Sequence, residues 1–187
     1  MTAVGIVLAG GLSRRFGSPK ALARMGDKYF YETAVDALHP ACEDVVVVSH
    51  SDLLHHTTYK NVIIDLPEFA GCGPLAGILS AMEFVEADRY VVLPCDMPFV
   101  TVDVIQQLMT HHVKGITAVV LGERQHPLVS VWDRSVKTLI KNALQTNQLS
   151  VLKLLEKTEV TWIAGNLLTE NAEFIFTNVN TPDALER

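Results

Sequence analysis

Short runs of apolar residues alternate along the chain with longer stretches in which apolar positions recur every three or four residues. The short runs predict six strands, at 4–9, 45–48, 62–64, 90–93, 117–121 and 128–132. Their residues are largely β-branched and apolar at consecutive positions, which is typical of strands buried on both faces of a sheet. The pattern therefore predicts a sheet with helices on both sides.

The longer stretches predict helices at 30–38, 75–85, 102–113, 135–144 and 151–157. Three of these starts carry a local signal, because Pro74 is favoured in a first helical turn and Thr101 and Ser150 are good N-caps. The alternation of strands and helices favours an α/β fold, a Rossmann-like, doubly wound, mostly parallel sheet. Residues 125–165 are expected to add a hairpin and helices, and the 187 residues are expected to form a single domain.

Charge is distributed unevenly along the chain. Lys and Arg number 15 and Asp and Glu number 21, so the formal net charge is −6. Residues 1–28 hold five bases and one acid, for a net charge of +4, whereas the remaining residues hold ten bases and twenty acids, for −10. The acidic remainder argues against a nucleic-acid-binding surface, which needs many unopposed bases. A small anionic ligand bound near the N-terminus remains compatible with this balance.

Several classes of protein are disfavoured by what the sequence lacks. It has no run of 18 apolar residues and no signal-peptide pattern, so we expect no membrane span and a cytoplasmic location. Three widely spaced cysteines argue against a disulfide framework or a Cys-x-x-Cys metal site. The adjacent histidine pairs at 55–56 and 111–112 are expected to be surface residues, since neighbours on a helix point about 100° apart.

A glycine-rich, basic loop follows the first predicted strand. Gly10 and Gly11 allow the backbone to approach a ligand and to point N–H groups at an anion. The loop continues with hydroxyl and cationic donors suited to phosphates, namely Ser13, Arg14, Arg15 and Lys20. It matches neither the Walker pattern nor the dinucleotide fingerprint. A phosphate-binding loop and a tight turn with exposed arginines are both open interpretations.

Two carboxylates follow later strands. Asp65 follows the third predicted strand, and Asp96 follows the fourth between Pro94 and Pro98. Parallel strands place these endings at one edge of the sheet, beside the glycine loop. A carboxylate held there suits Mg²⁺, which combines one or two carboxylates with phosphate oxygens and water. The alternative for each is an aspartate that caps a helix or stabilises a turn.

Several segments together resemble a known family. The pattern Leu-Ala-Gly-Gly-x-Ser-x-Arg-x-Gly-x-x-Lys at 8–20 resembles the signature loop of the MobA-like nucleotidyltransferases. Further segments resemble later motifs of that family, at 73–77, 94–98, 126–128 and 178–182. The last of these, Asn-Val-Asn-Thr-Pro, resembles the members that transfer a guanylyl group to the pterin of the molybdenum cofactor.

The resemblance implies roles for individual residues. Catalysis would involve Arg15, Lys20 and Asp96, with Mg²⁺ bound by Asp96. The nucleotide would contact the first loop, the second motif and the two carboxylates, that is Leu8, Ala9, Gly10, Gly11, Ser13, Lys20, Asp65, Gly73, Pro74, Leu75 and Asp96. The pterin substrate would lie near Asn178 and Asn180. Ser49 stands where the family often has an asparagine that contacts the nucleotide, so its role is open.

The implied reaction transfers GMP from GTP to the terminal phosphate of molybdopterin and releases pyrophosphate. The phosphate nucleophile is already ionised near neutral pH, so alignment and charge cancellation would supply most of the acceleration. The resemblance also implies contact with other proteins of cofactor biosynthesis. Two alternatives remain. One is another nucleotidyltransferase, either a molybdopterin cytidylyltransferase or a sugar-phosphate nucleotidyltransferase, and the other is a nucleotide-binding protein without catalysis.

Overall fold

The computed structural model describes residues 1–10, 20–57 and 59–180. The predictions for Gly11, Ser13, Arg14 and Arg15 therefore lie outside the described residues. The strands are β1 Ala3–Leu8, β2 Arg24–Met25, β3 Lys28–Tyr29, β4 Asp44–Val48, β5 Val62–Ile63, β6 Arg89–Pro94, β7 Ile116–Leu121, β8 Arg124–Asp133 and β9 Val160–Ala164. The helices are α1 Phe30–Leu38, α2 Ser51–Leu54, α3 Pro74–Phe84, α4 Val102–Thr110, α5 Lys137–Gln145, α6 Val151–Leu155, α7 Gly165–Leu168 and α8 Ala172–Ile175.

Within the described residues, seven strands form one sheet in the order β5-β4-β1-β6-β8-β7-β9. Strands β5, β4, β1 and β6 are mutually parallel. Strand β8 runs antiparallel to both β6 and β7, and β9 is parallel to β7. The predicted mostly parallel α/β sheet is confirmed. In the part of the chain that is described, no helix is both long enough and apolar enough to cross a membrane.

Helices cover the sheet on both faces because the inner parallel strands contain uninterrupted apolar runs, at 3–8, 45–48 and 90–93. In β4, Val45 and Val47 pack into one core with α1 and α4, while Val46 and Val48 pack into a second core with α3 and α5. This alternation follows from the two-residue repeat of a strand. Continuous apolar runs thus predicted the two-sided burial correctly.

The predicted helix starts also agree with the structure. The Thr101 hydroxyl accepts a hydrogen bond from the N–H of Val104 at 3.5 Å, and the Ser150 hydroxyl accepts one from Lys153 at 3.4 Å. Helix α3 begins at Pro74, directly after Gly73, whose φ of 79° is readily available to glycine. Gly73 and Thr101 therefore fix where α3 and α4 begin after the sheet edge.

The C-terminal part differs from the prediction. The hairpin consists of β7 and β8, so it begins at Ile116 and not within 125–165. Strand β9 was not predicted, because its residues are half-buried or exposed at an edge and carry no uninterrupted apolar run. His112, expected at the surface, is buried and hydrogen-bonded to Thr117 and Asp133, whereas His55 and His56 are exposed as expected.

Candidate active site

The carboxyl ends of the parallel strands meet at one edge of the sheet, where they border a cavity of about 560 Å³. Parallel α/β sheets bind ligands at this edge. Most of the predicted site residues that the structure describes line the cavity, namely Leu8, Ala9, Gly10, Lys20, Asp65, Gly73, Pro74, Asp96 and Asn178. Leu75 is not part of this wall, because it faces the core and is fully buried there. Asn180 reaches the site through Lys20.

Asp96 is held in place by three contacts at the end of β6. The Lys20 ammonium lies 3.3 Å from its Oδ2, and the Asn178 side-chain amide donates to its Oδ1 at 3.2 Å. The backbone carbonyl of Asp96 accepts a hydrogen bond from the N–H of Val179 at 2.8 Å. The fold therefore joins residues that are 76 and 82 positions apart in the sequence.

The two asparagines of the C-terminal motif orient charged groups. Asn178 Oδ1 accepts a hydrogen bond from the Arg124 guanidinium at 3.0 Å while its amide nitrogen donates to Asp96. Asn180 Oδ1 accepts a hydrogen bond from the Lys20 ammonium. Both side chains are thus engaged with the cations and the carboxylate of the site. A pterin contact at these positions stays a prediction.

Asp65 lies at the opposite side of the cavity, after β5. Burial raises the pKa of its carboxyl group, while the hydrogen bond from the N–H of Gly71, at 3.2 Å, and the nearby His50 imidazole act in the lowering direction. Gly71 has a φ of 75°, which lets the turn aim its N–H at the carboxylate. The turn between β5 and α3 therefore fixes a carboxylate that can accept further hydrogen bonds from a ligand.

Gly77 allows the first turn of α3 to approach the end of β1. A Cβ atom at this position would lie 2.9 Å from Leu8 Cδ2 and 3.8 Å from Asp65 Oδ1. The 2.9 Å contact is too short for real side chains, so a larger residue here would have to displace the end of the Leu8 side chain. The family motif at 73–77 contains this glycine, but its packing role is visible in the structure alone.

Ser49 has a structural role. Its hydroxyl donates to the carbonyl of Ala9 at 3.3 Å, and its N–H donates to the carbonyl of Ile63. It is buried and does not line the cavity. The position therefore ties the end of β4 to its two neighbouring strands.

The basic N-terminal segment contributes unequally to the cavity. Among its described residues, Lys20 lines the wall, whereas Arg24 packs 4.7 Å above the ring of Tyr29 and Lys28 pairs with Asp36. The sequence analysis gave no role to four other polar wall residues, His50, Arg124, Gln125 and His126, although His126 opens the motif at 126–128. The motif at 126–128 is the signal that could have found His126, whereas the two-residue repeat of β8 could not, since consecutive residues of this strand line the cavity.

The donor set at Asp96 suits a hard cation. The carboxylate borders the cavity and already has an ammonium beside Oδ2, which shows that this position favours positive charge. Within the described residues, no cluster of three or more His, Cys, Asp or Glu side chains could hold a metal ion. Mg²⁺ does not need one, because phosphate oxygens and water complete its shell. The residues present therefore fit a metal bound jointly by Asp96 and a phosphate ligand.

Comparison with protein families identifies the MobA-like NTP transferase domain over residues 5–160. The chain is 41% identical over 184 residues to a Bacillus cereus protein named probable molybdenum cofactor guanylyltransferase, covering 96% of this chain and 92% of that protein. A Geobacillus protein of the same name is 37% identical over 187 residues, covering 97% and 95% of the two chains.

Solved structures share the same architecture. Molybdopterin-guanine dinucleotide biosynthesis protein A from Archaeoglobus fulgidus superposes with a TM-score of 0.82 at 26% identity, covering 98% of this chain and 95% of that chain. A CMP:2-keto-3-deoxy-manno-octonic acid synthetase complexed with CTP superposes with a TM-score of 0.71 at 16% identity, covering 100% and 96%. At that identity the second likeness shows the fold alone.

Proposed function

Because the chain belongs to the MobA-like NTP transferase family, we propose that it transfers GMP from GTP to the terminal phosphate of molybdopterin and releases pyrophosphate. The observation that carries this proposal is the pair formed by Lys20 and Asp96 at the sheet-edge cavity. The pair supplies a cation for a phosphate and a carboxylate for a metal, beside the glycine segment that follows β1. The names of the curated relatives support guanine as the base and the pterin as the acceptor.

The proposed chemistry is one displacement at phosphorus. An oxygen of the acceptor phosphate forms a bond to the α-phosphorus of GTP, and the bond between that phosphorus and the bridging oxygen of pyrophosphate breaks. The nucleophile is already an anion, so the protein's work is to align two polyanions and offset their repulsion. Lys20 is proposed to bind the phosphates, and Arg15 is proposed to join it from the glycine loop.

Asp96 and the residues around it are proposed to prepare the site for this alignment. Mg²⁺ bound at Asp96 would supply positive charge to the triphosphate. The hydrogen bonds from Asn178 and Lys20 fix the two carboxylate oxygens, so little reorganisation is needed when the ligand arrives. Asp65 and the segment from Gly73 to Pro74 are proposed to contact the nucleotide on the other side of the cavity.

The proposal extends to the cellular setting that the reaction requires. The substrates are GTP and molybdopterin, and the product is a dinucleotide form of the cofactor. We propose a cytoplasmic enzyme that contacts other proteins of cofactor biosynthesis and that binds no nucleic acid. The acidic charge of the chain outside its first 28 residues supports the last point.

A nucleotide panel tests the base and the loop. GTP with Mg²⁺ at about 100 times its dissociation constant should stabilise the fold by about 2.7 kcal/mol, which raises Tm by about 5–11 °C for a chain of this size. CTP, ATP and UTP should give smaller shifts. Lys20→Ala should reduce the GTP shift and lower turnover, measured as pyrophosphate release with molybdopterin as acceptor. Lys28→Ala is the matched control, because Lys28 pairs with Asp36 away from the cavity.

Two results would contradict the proposal. A panel in which CTP stabilises the protein more than GTP would favour the cytidylyl alternative. A folded, GTP-binding protein that releases no pyrophosphate with molybdopterin would favour a nucleotide-binding protein without this catalysis. Equal effects of the Lys20 and Lys28 substitutions would overturn the role given to Lys20.

A further inference from the structure

His126 is a buried histidine without hydrogen-bond partners. Its side chain lies on β8 at the cavity wall, and the residue is 5% exposed. Within the described residues, neither ring nitrogen makes a hydrogen bond, and Nε2 is completely buried. The ring packs against Phe176, with 5.6 Å between the ring centroids, so its orientation is fixed by an apolar neighbour.

A second buried histidine shows what the fold does when the role is structural. His112 is 6% exposed, and its two nitrogens bond to Thr117 Oγ1 at 2.8 Å and to Asp133 Oδ1 at 2.9 Å. An imidazole normally has two hydrogen bonds to satisfy, and leaving them unmade in a buried position destabilises the folded state. Burial, and then the nearby Arg124, lower the pKa of His126, so a neutral ring offers one donor and one acceptor.

The order of the strands places His126 and Asp65 on different sides of the cavity. Strand β8 lies next to β6, whose end carries Asp96, whereas Asp65 lies beyond β1 and β4 on the other side. In a displacement at phosphorus the attacking and leaving oxygens lie roughly in line, so the acceptor enters on the side of the α-phosphorus opposite to the leaving pyrophosphate. Since the nucleotide is assigned to the Asp65 side, the wall formed by β8 is left for the acceptor.

Arg124 lies two residues before His126 and lines the same wall. Its guanidinium is hydrogen-bonded to Asn178, which in turn is bonded to Asp96, so this cation is linked to the reacting centre. A guanidinium binds phosphate oxygens strongly and with defined geometry. The wall therefore combines a cation close to Asp96 with an unsatisfied neutral imidazole next to it.

We propose that Arg124 and His126 form the acceptor subsite, in which Arg124 binds the acceptor's phosphate and His126 hydrogen-bonds to the polar edge of its heterocycle. The inference rests on the proposed function, which supplies an acceptor that carries both a phosphate and a fused, amide-containing ring. It assigns substrate contact to two residues outside the Asn178–Asn180 motif. Because Nε2 is completely buried, the ligand's hydrogen bond is made at Nδ1, which has no partner among the described residues.

The test compares His126→Phe with the wild-type protein. Steady-state turnover of GTP and molybdopterin is measured as the rate of pyrophosphate release. Phenylalanine keeps a ring against Phe176 but cannot hydrogen-bond. Since one hydrogen bond is lost, the expected result is a rise of about three- to tenfold in the KM for molybdopterin. The KM for GTP should stay within about twofold, and Tm should stay constant or rise because a buried unsatisfied group has been removed.

His112→Phe is the matched control, since it removes a buried imidazole of similar exposure that has both partners. It should lower Tm and leave the KM for molybdopterin unchanged. Arg124→Gln should raise the KM for molybdopterin, as His126→Phe does. His126→Leu should have the same effect and provides a second variant if the phenylalanine does not fit.

The outcomes separate the two hypotheses. If the wild-type protein turns over normally and the KM for molybdopterin is unchanged in His126→Phe and His126→Leu, the subsite is overturned. The proposed function is left standing by that result. A fall in Tm without a change in that KM would show that His126 is structural, which also overturns the subsite. Wild-type protein that binds GTP but releases no pyrophosphate with molybdopterin refutes the proposed function, and the subsite with it.

Discussion

Replacing Gly77 by alanine should separate the stability of the fold from the affinity for nucleotide. The added Cβ would lie 2.9 Å from Leu8 Cδ2 and 3.5 Å from Val48 Cγ1. Carbon atoms in contact are normally about 3.5–4.0 Å apart, so the Leu8 methyl group must move by roughly 0.6 Å or more. Leu8 lines the cavity, so its side chain has room to turn into the space that the nucleotide is proposed to occupy.

The stability terms nearly cancel. Alanine is favoured over glycine inside a helix by about 0.8–1.0 kcal/mol, and crowding a packed site costs about 1–3 kcal/mol. Because the displaced atom is the end of a side chain that borders a cavity, we expect the lower part of that range. The net loss is then about 1 kcal/mol or less, which corresponds to a fall in Tm of at most about 4 °C.

The affinity for GTP should fall much more. A methyl group turned into the cavity should raise the dissociation constant about tenfold or more, equivalent to about 1.4 kcal/mol, measured by titration calorimetry below Tm. Gly5→Ala is the matched control, because its Cβ would lie 3.0 Å from Leu38 Cβ, an atom of α1 that is fully buried and cannot turn aside.

That control should show the reverse behaviour. Gly5→Ala should cost about 2–3 kcal/mol and lower Tm by about 4–12 °C, with unchanged GTP affinity in the folded protein. Wild-type affinity for GTP in Gly77→Ala would refute the reasoning about Leu8. So would a loss of stability in Gly77→Ala that exceeds the loss in Gly5→Ala.

Three further predictions concern the carboxylate, the loop after β5 and the thiols. Asp96→Asn should keep the fold but lower pyrophosphate release by about a hundredfold or more, and full activity would contradict the role of Asp96. Ser80→Ala removes the oxygen that accepts the N–H of Leu66 at 2.8 Å, so Tm should fall by about 2–12 °C, and an unchanged Tm would contradict this. Burial raises the pKa of Cys42 and of Cys95 to about 12, so both thiols stay protonated at pH 8. A thiol reagent should label them slowly in the native protein, faster as pH rises and fastest in denaturant, whereas rapid native labelling at pH 8 would be inconsistent with the burial of Cys95 and with the raised pKa of Cys42.

The sheet edge could be predicted from sequence because strand ends are local features. Asp65 and Asp96 each follow an apolar run, and the parallel order of the strands brings such endings together without further information. Lys20 could be predicted from the composition of the first loop. In each case a short stretch of sequence and one topological rule were sufficient.

The hydrogen-bond network around these residues could not be predicted in the same way. Asn178 bridges Asp96 and Arg124, which come from three distant parts of the chain, and no spacing in the sequence relates them. The burial of His112 depends on Asp133, which the hairpin brings next to it. Strand β9 is an edge strand whose half-exposed residues lack a clear period. These features depend on tertiary packing, which overrides local preference.

The contacts of the C-terminal motif have a consequence for the order in which the molecule assembles. Lys20 and Asn180 are separated by 160 residues, and Asp96 and Asn178 by 82, so these contacts close the longest loops at the site. Non-local contacts form slowly, whereas neighbouring strands and helices can associate early. The central sheet can therefore be complete while Lys20 and Asp96 still lack their contacts with the two asparagines. The pairings of β1 with β4 and β6 involve no residue beyond Pro94, so a formed central sheet and a completed site are separable stages of assembly.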